Sequence, residues 1–396
     1  MMNRTNLRDR LFFLLARAMF PCVLFTIRVR QFFVRDATAP GKRKILIVAD
    51  HRLGDTVHQI PLFEALRRAF PKEQNHLAVV VQSSIADLVR QMPWFDEVLV
   101  GDARERHPIF WILGGHLWRA SSRRFDMLID PVRMRVIGHD WLNRVWRPVR
   151  SVAYDSEINK QVFPFVGHWQ QRCGDRLWSR LIPSKAGRPV EDDFQSFVDA
   201  VANSGTLVQP SFTWSYPSSR FTDDKDGFSI VLVPGANAPF RRWSTDSFRA
   251  LVSRLLQHHS NLQFSVVGND SEVPLGNALA ESFPDQVENF CGKTDLSSLA
   301  ASLSPDEGYR IVLANETGTA HLAAVQGTRT IVILGGGDFG ALFPSPHRPN
   351  VRALFKKRDC FGCGWQCRYA DLNSMVAPCV EDIRVEDVVS AIEEWL

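Results

Sequence analysis

Residues 44–71 read KILIVADHRLGDTVHQIPLFEALRRAFP, and this stretch decides the fold. Lys44–Ala49 is a short apolar run of the kind that forms a buried strand. It meets a polar loop, Asp50–Asp55, and then an apolar-periodic helix that runs to about Ala69, where Phe70-Pro71 ends it. Working outward, further strands are expected at His76–Val81, Glu97–Val100 and Met127–Ile129. Strands alternating with helices imply βαβ units and a parallel sheet.

The chain has 396 residues, more than one compact core usually holds, so two domains are expected. Residues 183–226 are rich in Pro, Ser, Gly and Asp, and the linker is placed at Pro217–Gly227. A second α/β series follows. Strands are expected at Phe228–Val233, Asn261–Val267, Ile311–Ala314 and Thr330–Leu334, with helices from a Ser244 cap to about His258, over Thr319–Gln326 and over Val385–Leu396. Gly327 falls where a left-handed residue ends a helix. The division is 1–40, an apolar and basic extension; 41–220, an N-terminal Rossmann-like domain; and 221–396, a C-terminal one.

Hydrophobic residues make up 45% of the chain and charged residues 23%, the balance of a soluble folded protein. A net charge of +4 is too small to argue for a nucleic-acid partner. The extension is less even. It holds seven arginines between Arg4 and Arg35 around the apolar stretch Leu11–Ile27, which Arg17 and Pro21 interrupt. That interruption argues against a membrane span, and no small-residue cleavage site marks an export signal. Two readings stand side by side: a helix in the membrane interface, or one packed on the protein's own surface. Without export, a cytoplasmic location is expected, on the inner face of the membrane if the interfacial reading holds.

In parallel sheets, ligands bind outside the carboxyl ends of strands. Four loops there carry chemistry. In the first, Gly54 turns the chain and Asp55 begins a helix, where it serves as a cap or as an ionised base for a hydroxyl. In the second, Pro234-Gly235 is followed by Arg241 and Arg242 just before a capped helix, a setting for an anion or a solvated basic loop. In the third, Glu272 after Gly268-Asn269 is a ribose-binding acid or a helix-start acid. In the fourth, Glu316-Thr317-Gly318-Thr319 leads to His321; the turn offers amides at a helix N-terminus to phosphate, while Glu316 suits sugar hydroxyls. Cys360-x2-Cys363-x3-Cys367-x11-Cys379 fits a structural zinc site, a reduced cluster or disulfides. No loop matches the dinucleotide G-x-G-x-x-G fingerprint in its strand-to-helix setting, and the P-loop and the Gly-x-Ser-x-Gly elbow are missing from the sequence.

Three segments, ILIVADHRLGDTVHQIPLFEALRRAFP (45–71), VLVPGANAPFRRWSTDSF (231–248) and LANETGTAHLAAVQGTRTIVILGG (313–336), resemble in order and spacing glycosyltransferase family 9, the lipopolysaccharide heptosyltransferases. The resemblance implies a GT-B fold: two Rossmann-like α/β domains facing across a cleft. It implies an inverting transfer without a catalytic metal or other cofactor, from a nucleotide-diphosphate sugar, ADP-heptose in the family, to a lipid-linked saccharide. Asp55 matches the family's general base. Arg241, where lysine is more usual, matches a residue on the donor phosphates or sugar, with Arg242 beside it. Thr317, Gly318, Thr319 and His321 match the turn that holds the diphosphate. Glu316 stands where aspartate is usual, so the extra methylene shifts its sugar or ribose contact. Glu272 is a weaker match to a ribose acid. LIDPVRMRV (128–136) resembles an Asp-containing segment of the first domain, with Arg133 and Arg135 as candidates for acceptor phosphates.

Two other functions use the same pattern. A GT-B-shaped sugar-nucleotide epimerase needs the same phosphate cradle but no lipid partner. A non-catalytic, membrane-associated nucleotide-sugar-binding protein is consistent with Glu316, the paired arginines and the N-terminal extension.

Overall fold

The computed structural model describes residues 14, 18, 21–22, 24–29, 40–49, 52–101, 123–135, 137–162, 164–185, 187–202, 205–209, 214–216, 229–305, 310–371 and 375–396. Asp50, His51, most of the N-terminal extension and the linker Pro217–Gly227 lie outside the described residues. The described residues fall into two compact units. The first takes those of Met1–Arg52, Gln59–Ala186 and Glu191–Pro210; the second takes those of Leu53–His58, Gly187–Val190 and Ser211–Leu396.

The first unit is built on a parallel sheet of β1 (Arg43–Ala49), β2 (Asn75–Gln82), β3 (Glu97–Gly101), β4 (Met127–Asp130), β5 (Arg150–Tyr154) and β6 (Arg180–Ile182), in the order β3-β2-β1-β4-β5-β6. The register pairs Ile45 with Leu77 on one side and Met127 on the other. From Ile45 to Ala49, β1 is buried on both faces, which is why it reads as a continuous apolar run instead of an alternating one. Leu46 and Val48 share one face with Ala78, Val80 and Leu128 under Trp141 and Trp146. The fully buried leucine and valine side chains of β1 each contribute about 1.5–3 kcal/mol. Leu24 and Ile27 of the N-terminal helix pack into this same core, while Leu14, Phe25 and Val29 are exposed. Among the described residues, no helix is long and apolar enough to cross a membrane.

The helix expected to run to Ala69 is two helices, α1 (Leu53–His58) and α2 (Ile60–Ala69). Pro61, in the first turn of α2, is the physical reason. Its ring and missing N–H are incompatible with one helix continuing from α1. The break at Gln59 leaves α1 packed within the second unit.

The second unit repeats the topology. Its sheet contains β7 (Ser229–Val233), β8 (Gln263–Val266), β9 (Val287–Asn289), β10 (Arg310–Asn315), β11 (Arg329–Ile333) and β12 (Val351–Leu354), in the order β12-β11-β10-β7-β8-β9. Helices α3 (Thr245–His258), α4 (Gly318–Gln326) and α5 (Val385–Glu393) belong to it. One face of the sheet, with Ile230, Leu232, Ile311, Leu313, Ile331 and Ile333, packs on Phe248, Leu251, Leu255, Val388 and Ile392 from α3 and α5. Ser244 caps α3 as expected, its side chain accepting from the Ser247 N–H at 3.0 Å. Gly327 closes α4 at φ 91°.

Both sheets have the Rossmann strand order, in which the chain reverses direction between the first and fourth strands of each half. This switch point lies between β1 and β4 in the first unit and between β7 and β10 in the second.

Candidate active site

The loops flanking the second switch point are stitched together by Asn315 at the end of β10. Its side chain accepts from the Trp243 N–H at 2.9 Å and donates to the Pro234 carbonyl at 2.7 Å. Trp243, itself 2% exposed, anchors its indole N–H on the Ile383 carbonyl. The Arg241-Arg242 pair is therefore held against the residues that follow β10.

Arg241 donates to Glu316 Oε2 at 2.8 Å, and its buried Nε has no acceptor. Glu316 is 7% exposed. Burial is the main force pushing its carboxyl above the usual range; Arg241 works against that shift, while Asp338 and Asp55 add to it. Three carboxylates and one guanidinium therefore interact around the end of β10. Arg242 differs from its neighbour: Nε and an Nη both donate to the Ala236 carbonyl of its own loop.

Thr317 is the N-cap of α4. Its side chain takes the Ala320 N–H and its carbonyl the His321 N–H. The first-turn amides of Gly318 and Thr319 precede any intrahelical acceptor, and both residues are half-exposed. The expected turn from strand to helix N-terminus is thus present, at a helix of nine residues whose aligned peptide dipoles place roughly half a positive charge there.

The N-terminus of α1 packs beside that of α4 because two glycines permit it. A Cβ on Gly54 would lie 2.5 Å from the His321 ring, and one on Gly318 would lie 3.0 Å from Leu53 Cβ. This contact places Asp55, half-buried in the first turn of α1, near Glu316. His58, one turn after Asp55, was not among the residues expected to matter. Its Nε2 is 2.9 Å from His321 Nδ1, one nitrogen donating to the other. His321 also stacks on Phe343 at 4.3 Å.

His321 itself is a correction. It is 4% exposed, and burial, followed by His58, Arg241 and Arg348, holds its pKa well below the usual value. A neutral, enclosed ring does not offer a cation to phosphate; its contacts serve the packing of α1 on α4. Glu272 belongs to a capping box: its carboxylate accepts the Asn269 N–H at 2.9 Å and lies against Gly235 and Gly268. Glu272 therefore serves its helix start through one carboxylate oxygen, at a position beside the loop that follows β7.

In the first unit, Arg135 is a correction among the acceptor-side expectations. Arg135 is 1% exposed, paired with Asp140 at 2.8 Å and Asp175 at 2.6 Å and bonded to the Tyr154 carbonyl. It is enclosed by its partners and presents no face to a phosphate. Arg133 donates to Asp193 at 2.8 Å, an acid that also accepts from the Tyr154 hydroxyl. Asp130, at the end of β4, is fully buried 2.9 Å from His139.

All seven cysteines are free thiols. Among the described residues, no three His, Cys, Asp or Glu side chains gather as a metal site. The loop carrying Cys360 and Cys363 hydrogen-bonds to Gly336 and Gly337, and the Gly336 N–H donates to Cys379 Sγ at 3.4 Å.

Residues 179–363 match the family model described as glycosyltransferase family 9 (heptosyltransferase). The lipopolysaccharide core heptosyltransferase OpsX of Haemophilus influenzae is 20% identical over 285 residues, covering 66% of this chain and 79% of that protein. A family 9 glycosyltransferase from Veillonella parvula superposes with a TM-score of 0.64 at 16% identity, covering 89% of this chain and 97% of that one. The E. coli heptosyltransferase WaaC, solved with ADP-2-deoxy-2-fluoro heptose, gives a TM-score of 0.62 at 17% identity, covering 89% and 99% of the two chains. The GT-B pair of Rossmann-like sheets expected from the sequence is the fold shared with these structures.

Proposed function

We propose, for a chain that belongs to glycosyltransferase family 9, an inverting transfer of heptose from ADP-heptose to the core saccharide of lipopolysaccharide or a related lipid-linked acceptor. The sugar and the acceptor class follow the names of the similar enzymes, and ADP follows the ligand solved with WaaC. The observation that carries the reading is the grouping of Arg241, Glu316 and the first-turn amides of α4 at the second switch point, with Asp55 close by.

The chemistry assigned to these groups is a single displacement. An acceptor hydroxyl attacks the anomeric carbon, its proton passes to Asp55, and the bond to the diphosphate breaks on the opposite face. Charge grows on the departing diphosphate, and the amides of Gly318 and Thr319 together with Arg241 stabilise it. Glu316 would repel a phosphate, so it is assigned to sugar hydroxyls, with Arg241 as its counter-charge. Glu272 is assigned to the ribose. Arg242, bound to Ala236, is assigned to shaping the loop. The reading gives no step to a metal. The exposed Leu14, Phe25 and Val29, together with the arginines of that stretch of sequence, support a peripheral site on the inner face of the cytoplasmic membrane.

The test is ADP release from ADP-heptose, with and without a lipid-linked core acceptor. Asp55→Ala is expected to lower turnover by about 10²–10⁴-fold while ADP binding stays near the wild-type value. Turnover like the wild type in that variant removes Asp55 from the mechanism. A new sugar nucleotide formed from donor alone would instead indicate an epimerase. Binding of a nucleotide sugar without turnover would favour the non-catalytic binding protein, and failure to bind any at millimolar concentration a non-catalytic scaffold.

A further inference from the structure

Trp365 lies in the turn 360–367, between Cys363 and Cys367, and its backbone is left-handed at φ 61° directly after Gly364 at φ 57°. A non-glycine residue in that region costs on the order of 1 kcal/mol, so the surrounding contacts must hold it there. They do so closely. The Gly362 N–H donates to the Gly336 carbonyl at 2.7 Å, and the Gly364 N–H to the Gly337 carbonyl at 3.0 Å. The indole is seated on the loop after β11: a Cβ on Gly335 or Gly337 would fall within 2.4 Å and 2.1 Å of its ring atoms. The indole N–H donates to Asp338 at 2.9 Å.

The same ring meets the Arg241 loop. The Arg241 Cζ stands 4.6 Å from its centroid, and Phe240 packs beside it at 5.5 Å. Two contacts therefore fix the guanidinium: Glu316 accepts from one Nη, and the indole interacts with it as a cation–π partner. The buried Nε is left without an acceptor.

We infer that Trp365 is the positioning residue for Arg241, presenting a pre-set guanidinium to the diphosphate of the donor. The inference rests on the assignment of Arg241 to that diphosphate. A planar cation held by a rigid aromatic loses less freedom when it binds phosphate than one on a free side chain, so the effect falls on donor affinity. The sequence carries one signal of this role, a tryptophan following Cys363-Gly364 in a glycine-rich turn, and the readings above passed over it.

The experiment measures ADP binding to the full chain by calorimetry, with thermal melting alongside. Trp365→Leu keeps apolar volume and loses the aromatic face; Trp365→Phe keeps the face and loses the indole N–H. W365L is expected to weaken ADP binding by about tenfold, and W365F to stay within about threefold of the wild type. In an Arg241→Ala background, W365L is expected to add nothing, since the group it positions is gone. A purely structural tryptophan gives a different pattern: W365L lowers the melting temperature, and its effect on ADP multiplies with that of R241A. Wild-type affinity in W365L, or full multiplication of the two effects, overturns the inference while the ADP site stands. Absence of ADP binding in the wild type overturns the proposed function and the inference together.

Discussion

The two switch points share one topology and differ in what their polar groups are doing. In the first unit, the charged residues at the end of β4 and beyond it are paired inward, Asp130 with His139, Arg133 with Asp193, and Arg135 with Asp140 and Asp175, and Asp130, Arg135, His139 and Asp140 are enclosed. In the second, Arg241 pairs with Glu316, and the first-turn residues Gly318 and Thr319 of α4 are half-exposed. Strand order tells where a ligand can bind in each sheet. Exposure at the strand ends tells which of two equivalent places can meet a ligand. By that criterion the proposed site falls in the second unit, and the enclosed ion pairs of the first unit hold its own fold together.

The sharpest way to break this contrast is at Arg135. Arg135→Met keeps the length and apolar volume but leaves Asp140, fully buried, without its cation. Removing one partner from a buried pair typically costs about 3–5 kcal/mol. Urea denaturation is expected to show a loss of that size, while ADP affinity, measured where the variant is folded, stays within about threefold of the wild type. A stability loss under about 1 kcal/mol would mean that water already reaches the cluster and that the first switch point has capacity to spare.

Much of the second switch point was legible in the sequence because its chemistry is local. A buried apolar run, a small turn and a helix give strand end and helix N-terminus together, and Ser244 and Gly327 occupy the N-cap and left-handed closing positions expected of them. The failures are tertiary. The three-residue strands β6 and β9 are too short to show periodicity, and β12 packs only partly buried at the sheet edge. Pro61 reads as a residue within a helix until its missing donor is followed to the separate fate of α1. Arg133 and Arg135 read as available cations because their carboxylate partners lie up to sixty residues away, and sequence spacing says nothing about that pairing. His58 and Trp365 were passed over for the same reason, since each acquires its meaning from a contact with another loop.

An effect of intermediate size is expected from pH. In the folded chain the pKa of His321 is held well below 6.5, by burial first and by His58, Arg241 and Arg348 after it. The unfolded chain, with the ordinary value, binds more protons in the interval between the two pKa values. The stability associated with this group is therefore complete above pH 6.5 and is lost as pH falls toward the folded value. Melting temperatures measured from pH 8 to pH 5 should decline in the wild type below pH 6.5. In His321→Gln, which cannot titrate, the decline should be shallower whatever the absolute stability of the variant. Parallel curves would show that the neutral ring plays no part in the acid sensitivity of the α1–α4 contact.

The smallest effect is expected at Thr317, and it separates capping from ligand binding. Thr317 Oγ1 accepts the Ala320 N–H at 3.4 Å, a longer bond than the 3.0 Å cap of Ser244 on α3. Loss of an N-cap costs about 0.5–2 kcal/mol, and the longer bond puts Thr317→Ala near the lower end, below Ser244→Ala. If Thr317 acts only as a cap, T317A weakens ADP binding by less than about twofold and Thr317→Ser restores both stability and affinity, because the oxygen returns to the same place. If the hydroxyl also meets the donor, the order of the two variants inverts between assays: S244A is the more damaging in denaturation, and T317A is the more damaging in ADP binding. That crossing would place a ligand contact on the one residue whose capping bond is long enough to be given up, and its absence would leave the amides of Gly318 and Thr319 as what this turn gives to an anion.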